Sequence, residues 1–355
     1  MSNVTMTSPN IDTGLTRKLL QPADLAQLPA IPVEFAGCTG TMHPAAGETG
    51  VIILAPFGHE AMASHKTLQL LADNLAASGM PVLRFDYPGT GDAPGDEMNR
   101  ELIASRCRAV VDACRFFREQ GNVRRIAFVG LRLGATIAAL QAETCNVQNL
   151  VMIEPVVSGQ DWLHQLENLQ AIPGVRNFRS SGKLKGGGAK FLGYGMSMAS
   201  LEAVRTVHLS TASLQKTCRV LMLFSDRSLD AGRLSRQWIK EGLDVDARPY
   251  AALSQLIGDP TVVKSATDSL EGVASWLRPE DVKAKPVTFK PAAPFISGTD
   301  YKEQPVFFGG SMSRFGVLCE PMGLRKPGPA VILLNTGGEN GGAKVLHGSG
   351  GIMLL

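Results

Sequence analysis

Residues 29–280 predict an α/β fold, a mainly parallel central sheet with helices on both faces. Three observations carry that expectation. Apolar runs of strand length alternate with stretches of helical periodicity. The runs are short and bounded by turns, as buried strands of a parallel sheet are. A glycine-framed turn, Gly130-Leu131-Arg132-Leu133-Gly134, joins one such run to an Ala- and Leu-rich stretch.

Taken in order, residues 1–28 are polar and irregular and read as a loose arm. Pro32 to Phe35 is an opening strand, and Gly50 to Pro56 a buried one. Lys66 to Ser78 carries Leu68, Leu70, Leu71, Leu75 and Ala76, the spacing of a helix packed by one face. Pro81 to Tyr87 is a strand that stops at Pro88-Gly89-Thr90-Gly91. Residues 99–119 form a long amphipathic helix. Ile126 to Val129 is a central strand, followed by a helix over Leu133 to Ala142. Leu150 to Ile153 is a strand closed by Glu154-Pro155. Val220 to Phe224 and Leu243 to Tyr250 are further strands, and Ser269 to Leu277 a last helix stopped by Pro279. Residues 160–215 break this rhythm and contain the tract from Gly182 to Gly188. They read either as a cap over a pocket or as a surface excursion.

Composition narrows the function classes. The 355 residues are 44% hydrophobic and 19% charged, so the chain can bury a sizeable core. The formal net charge is +3 and the basic residues form no stripe, which gives nucleic-acid binding no support. No leader-like or membrane-spanning run is visible, so the expected location is cytoplasmic. The six cysteines form no Cys-x-x-Cys pair and read as reduced, mostly buried small side chains. No His, Cys and acid spacing argues for a metal, and no cofactor is implied.

Residues 281–355 read as a truncated second repeat. Pro305 to Gly310 echoes Pro32 to Gly37, and Val331 to Gly338 echoes Val51 to Gly58, each pair about 270–280 residues apart. Only the first strands have room, so a protein partner covering the partial sheet is expected, unless the tail packs on the first domain.

Several local features in the same order resemble the α/β-hydrolase superfamily over about residues 31–280. More narrowly, they resemble its serine-aminopeptidase-like members found beside exosortase and exopolysaccharide systems. Ala55-Pro56-Phe57-Gly58-His59-Glu60 follows an early strand, where that family places its oxyanion loop. Phe85 to Asp92 resembles the family's Asp-x-x-Gly-x-Gly-x-Ser loop, with Ala93 at the Ser position. Gly130 to Gly134 resembles the nucleophile elbow, and Phe224 to Arg227 follows the strand that precedes the catalytic acid.

The resemblance implies acyl transfer, which needs a nucleophile, a base, an orienting acid and oxyanion donors. Arg132 occupies the nucleophile position, and a guanidinium is not a nucleophile. Asp226 fills the acid position, with Glu154 as a weaker candidate. The loop after the last strand, Ala251 to Pro260, contains no His. His59 is the residue nearest the pocket that could act as acid or base. His43, His65 and His347 carry no constellation. Arg132, Phe57, Gly58, Leu131 and Glu154 are the candidate ligand-binding set, suited to a small acyl or anionic ligand. Alternatively Arg132 pairs with an acid such as Glu154 or Asp226. Three functions follow: a non-catalytic binding protein or scaffold, a divergent hydrolase of ester, thioester or amide bonds, or a support for a second hydrolase-like domain.

Overall fold

The computed structural model describes residues 19–20 and 30–278, apart from 97, 99–100, 121–122, 172–181, 185–186, 252 and 258–269. Beyond these it describes short stretches at 287–288, 296–297, 301–308, 314–322, 331–333 and 352–354.

The centre is one eight-stranded sheet. Its strands are β1 (Ile31–Phe35), β2 (Cys38–His43), β3 (Thr49–Leu54), β4 (Val82–Asp86), β5 (Arg125–Leu131), β6 (Asn149–Ile153), β7 (Arg219–Phe224) and β8 (Asp244–Pro249). They lie side by side in the order β8-β7-β6-β5-β3-β4-β2-β1. Only β2 runs antiparallel to its neighbours, β1 and β4, and all other pairs are parallel. Around the sheet stand α1 (His59–Ala77), α2 (Leu102–Gln120), α3 (Leu133–Gln141), α4 (Gly159–Ala171), α5 (Met198–Arg205), α6 (Leu229–Lys240), α7 (Leu253–Ile257) and α8 (Glu271–Leu277). This strand order, with a strained turn after β5, is an α/β-hydrolase fold.

Strand alternation divides the core in two. Along β3, Ile52 and Leu54 face one side with α2, α3, α4 and α6, in a cluster that includes Phe117, Phe128, Trp162 and Trp238. Val51 and Ile53 face the other side, against Leu68, Leu71 and Leu75 of α1 and Val273 and Leu277 of α8. The strands are apolar on both faces because helices cover both.

The structure extends the expected elements at several places. β2 closes a hairpin on β1 through Ala36 and Gly37, whose φ values of 45° and 75° make a tight turn that matches strand twist. α1 starts at His59, a full seven residues before the expected Lys66, so His59 and Glu60 belong to a helix and not to a loop. α6, not among the expected elements, buries Ala231, Leu234, Ser235 and Trp238 at helical spacing. Leu19–Leu20 of the expected loose arm pairs antiparallel with Val287–Thr288.

Residues 160–215 hold most of α4, all of α5 and a small antiparallel sheet of Gly182–Lys183, Ala189–Phe191 and Tyr194–Met196. A separate five-stranded sheet follows: β9 (Ile296–Ser297), β10 (Tyr301–Phe308), β11 (Arg314–Pro321), β12 (Val331–Leu333) and β13 (Ile352–Leu354), in the order β9-β10-β11-β13-β12. β10 and β11 are antiparallel, β11 and β13 antiparallel, and β13 and β12 parallel. The hairpin β1-β2 with β4 and β3 has the same order and the same directions.

His43 does have a constellation, away from the elbow. It ends β2 opposite Val82, the first residue of β4. Its Nε2 accepts from Arg84 Nε at 3.3 Å, which leaves Nδ1–H to donate to Asp73 Oδ1 at 2.9 Å. Burial, with the Arg84 charge beside it, holds His43 below the ordinary imidazole value. Its ring is neutral in the fold and takes up a proton first when unfolded. Stability should therefore be full above the unfolded value of about 6.5 and fall as pH drops below it. Urea unfolding across that window should show the loss, and His43→Gln should make it shallower. An unchanged pH dependence in the variant would contradict the assignment.

Candidate functional site

The site lies at the carboxyl ends of the parallel strands. β3 hands the chain to β4 on one side, while β5 continues to β6 on the other, so the crevice above β3 and β5 is a topological switch point. The ends of β3, β5, β6 and β7 stand in a row and carry Phe57 and Gly58, Arg132, Glu154, and Ser225 with Asp226.

The turn after β5 has the shape of a nucleophile elbow. Arg132 sits at φ 53° and ψ −121°, a conformation that side-chain-bearing residues rarely adopt. Its N–H donates to the Ile153 carbonyl at 2.9 Å, and its own carbonyl accepts from Ala135 and Thr136 at the start of α3. The two framing glycines are demanded by close packing. A Cβ on Gly134 would lie 2.1 Å from the Leu54 carbonyl oxygen, and one on Gly130 would lie 2.4 Å from the Ala135 Cα. The motif thus encodes the approach of α3 to β3 and β5, whatever residue stands between the glycines.

Arg132 is 7% exposed, and its guanidinium makes three hydrogen bonds. Nε donates to Glu60 Oε1 at 2.9 Å, Nη2 to Gln165 Oε1 at 2.8 Å, and Nη1 to the Glu154 carbonyl at 3.4 Å. Glu60 lies in the first turn of α1, where the helix dipole favours a carboxylate. Its second oxygen is buried without a hydrogen-bond partner among the described residues. The arginine therefore fastens together the elbow, the start of α1 and α4.

The acid that pairs with Arg132 is Glu60, and not the Glu154 carboxylate or Asp226. Glu154, fully buried at φ 46°, turns its carboxylate away. Its Oε1 accepts from the Ser225 N–H at 2.5 Å and its Oε2 from the Ser228 hydroxyl. Asp226 is exposed in the turn between β7 and α6. His59 opens α1, half-buried, one residue before Glu60. Leu131 is completely buried as the last residue of β5, so it contributes backbone and packing to the crevice. The Tyr250 side chain is buried just after β8, and no residue from 250 to 277 is a His.

Aromatic side chains enclose the Pro56–Gly58 loop. Phe57 meets Trp162 of α4 edge-on at 5.9 Å and Tyr194 at 6.4 Å. A Cβ on Gly58 would press on the Tyr194 side chain at 3.0 Å. From α2, the Arg106 guanidinium lies 4.2 Å from the Tyr87 ring centre and 5.5 Å from that of Phe57. It also donates to the Pro56 carbonyl at 3.4 Å. Burial lowers the Arg106 affinity for its proton and raises that of the Tyr87 phenol. Arg106 Nε, the Tyr87 hydroxyl and Trp162 Nε1 are buried without hydrogen-bond partners among the described residues. In the Asp86–Asp92 loop, Asp86 Oδ2 accepts the Asp92 N–H at 3.1 Å, and burial raises the Asp86 carboxyl. That contact gives the Gly-rich motif a structural role, since a Cβ on Gly91 would strike the same carboxylate.

Sequence reasoning brought Arg132, Phe57, Gly58, Leu131 and Glu154 to one crevice. It missed Glu60 as the partner, Gln165 and Trp162 on α4, Tyr194, and Arg106. The helical spacing of Trp162, Leu163 and Leu166 was the available signal for α4. Among the described residues no cluster of three His, Cys or acidic side chains could hold a metal. No described helix is long and apolar enough to cross a membrane.

No family model and no curated protein matches the sequence. Among solved structures, the chain is similar to Est1E from Butyrivibrio proteoclasticus with ferulic acid bound. They share 15% identity over 70% of this chain and 97% of that one, with a TM-score of 0.49. It is similar to XC6422 from Xanthomonas campestris, an a/b serine hydrolase without lid, at 14% identity. That match covers 71% of this chain and 96% of that one, with a TM-score of 0.40. It is also similar to a hyperthermophilic esterase from Pyrobaculum calidifontis at 14% identity, covering 71% and 86%, with a TM-score of 0.46. Likeness at this level concerns the path of the chain, and the fold assignment rests on the strand order and the elbow of the protein itself.

Proposed function

We propose that this chain is an α/β-hydrolase-like protein whose elbow performs no acyl transfer, and that it acts as a scaffold or by binding a ligand. One observation carries the reading: the elbow residue is an arginine, and its guanidinium bonds Glu60, Gln165 and the Glu154 carbonyl. Acyl transfer needs an attacking oxygen or sulfur at that point and a base to take its proton. Arg132 supplies neither, and the loop where the fold carries its His has none. Without nucleophile and base, what a hydrolase scaffold retains is binding and oxyanion donation.

The contacts of residues 160–215 support their reading as a cap, since Trp162, Gln165 and Tyr194 reach the elbow and the Phe57 loop. A small acyl or anionic ligand would enter beneath them, beside Phe57 and Gly58, and an anion would displace Gln165 from Arg132. The order and directions of β10, β11, β13 and β12 support residues 281–355 as a second repeat of the first half-sheet, which a partner protein would cover. The motifs over Ala55 to Glu60 and Phe85 to Asp92 support the serine-aminopeptidase-like branch as its kin.

Purified protein should not turn over carboxylic esters or thioesters, and Arg132→Ser should not restore turnover, because the loop after β8 holds no His. Turnover by the parent that survives repurification and is lost in His59→Ala would overturn the reading in favour of a divergent hydrolase. The ion pair should be costly to break from one side. Glu60→Gln should lower unfolding stability by about 3–5 kcal/mol, read by urea titration, because it strands a buried guanidinium.

A further inference from the structure

On the flank of the domain, a cleft of about 280 Å³ opens between the second half of α2 and the turn after α3. Cys114, Arg115, Arg118, Glu119, Thr144 and Cys145 line it. Cys114 comes from α2 and Cys145 from the turn, and both are almost wholly buried, at 1% and 2% exposure. Both line this one cleft, and each affects the ionisation of the other. Arg118 is fixed beside them, its Nη2 donating to the Cys145 carbonyl at 2.6 Å. Two cysteines on one cleft, a cation held next to one of them, and an opening to solvent are the parts of a thiol redox site.

We propose that Cys145 and Cys114 form a reversible redox pair, in which a hydroperoxide entering this cleft oxidises Cys145 and Cys114 closes a disulfide. The roles divide by environment. The Cys114 thiol and the Arg118 charge favour the Cys145 thiolate, below the ordinary thiol value. Cys114 is held above that value and keeps its proton. Three further thiols are protected: burial pushes Cys38 up to about 12 and Cys218 up to about 11, and raises Cys107.

In the first step the Cys145 thiolate attacks the terminal peroxide oxygen and the O–O bond breaks. An alcohol or water leaves after taking a proton, and the sulfur becomes a sulfenic acid. In the second step the Cys114 sulfur attacks Cys145, the S–O bond breaks, and the oxygen departs as water with the Cys114 proton. The peroxide is the oxidant, and a dithiol restores both cysteines. The disulfide would close a covalent loop containing β5, the elbow and α3, thereby tying the base of α3 to α2.

The test uses the full chain, reduced and then exposed to hydrogen peroxide, alkylated with iodoacetamide and digested without reductant. Mass spectrometry should find one cross-linked pair, Cys114 with Cys145, that dithiothreitol removes, while Cys38, Cys107 and Cys218 remain alkylated. In Cys114→Ala, Cys145 should be trapped by dimedone as a sulfenic acid. Arg118→Gln should slow cross-linking several-fold, with the rate recovering as pH rises. The proposal is overturned if the parent forms no such cross-link while glutathione in the same tube is fully oxidised. It is overturned equally if parent Cys145 stops at a dimedone adduct beside an alkylated Cys114.

Discussion

Arg132 and Glu60 meet at 2.9 Å in a place where both side chains are nearly removed from water, at 9% and 4% exposure. Neither is tolerable there alone. A carboxylate or guanidinium buried without a partner carries a desolvation penalty of several kcal/mol, and the pair persists because each satisfies the other. Through this contact the elbow, the N-terminus of α1 and, by way of Gln165, α4 are held as one unit. The crevice at the strand ends is organised around this ion pair.

The backbone of the elbow is held independently of the side chain it carries. A residue at φ 53° with a large side chain stores strain of order 1–3 kcal/mol. Here the strain is supported by the Gly130 and Gly134 packing and by the Arg132 N–H bond to Ile153, none of which involves a side chain at position 132. Glu154 follows the same logic: at φ 46° it is held by Ser225 and Ser228 and braces the ends of β6 and β7.

Much of this was legible in the sequence because it is local. The apolar runs of β3, β5, β6 and β7 and the glycine spacing of the elbow each depend on residues within a few positions of one another. β2 was not legible: Cys-Thr-Gly-Thr-Met-His has a glycine at its centre and little apolar alternation, and its turn uses Ala36 where Asn or Asp would have signalled it. α6 was legible and overlooked: Ala231, Leu234 and Trp238 recur at helical spacing on one strongly amphipathic face. The partner of Arg132 was hidden for a different reason. Glu60 stands 72 positions earlier, and only the closure of α1 against β5 brings the two together. Local acids such as Glu154 and Asp226 were the natural expectation, but the strand-end turns point them elsewhere.

The most direct measurement is a double-mutant cycle on unfolding stability, with Arg132→Ser, Glu60→Gln and the two combined. If the elbow arginine is a structural clamp, the two changes should be strongly non-additive, with a coupling of about 1–3 kcal/mol and a double variant less destabilised than the sum of its parts. Additive losses, within a few tenths of a kcal/mol, would mean that Arg132 and Glu60 act independently, and the account of the elbow as a structural ion pair would fail.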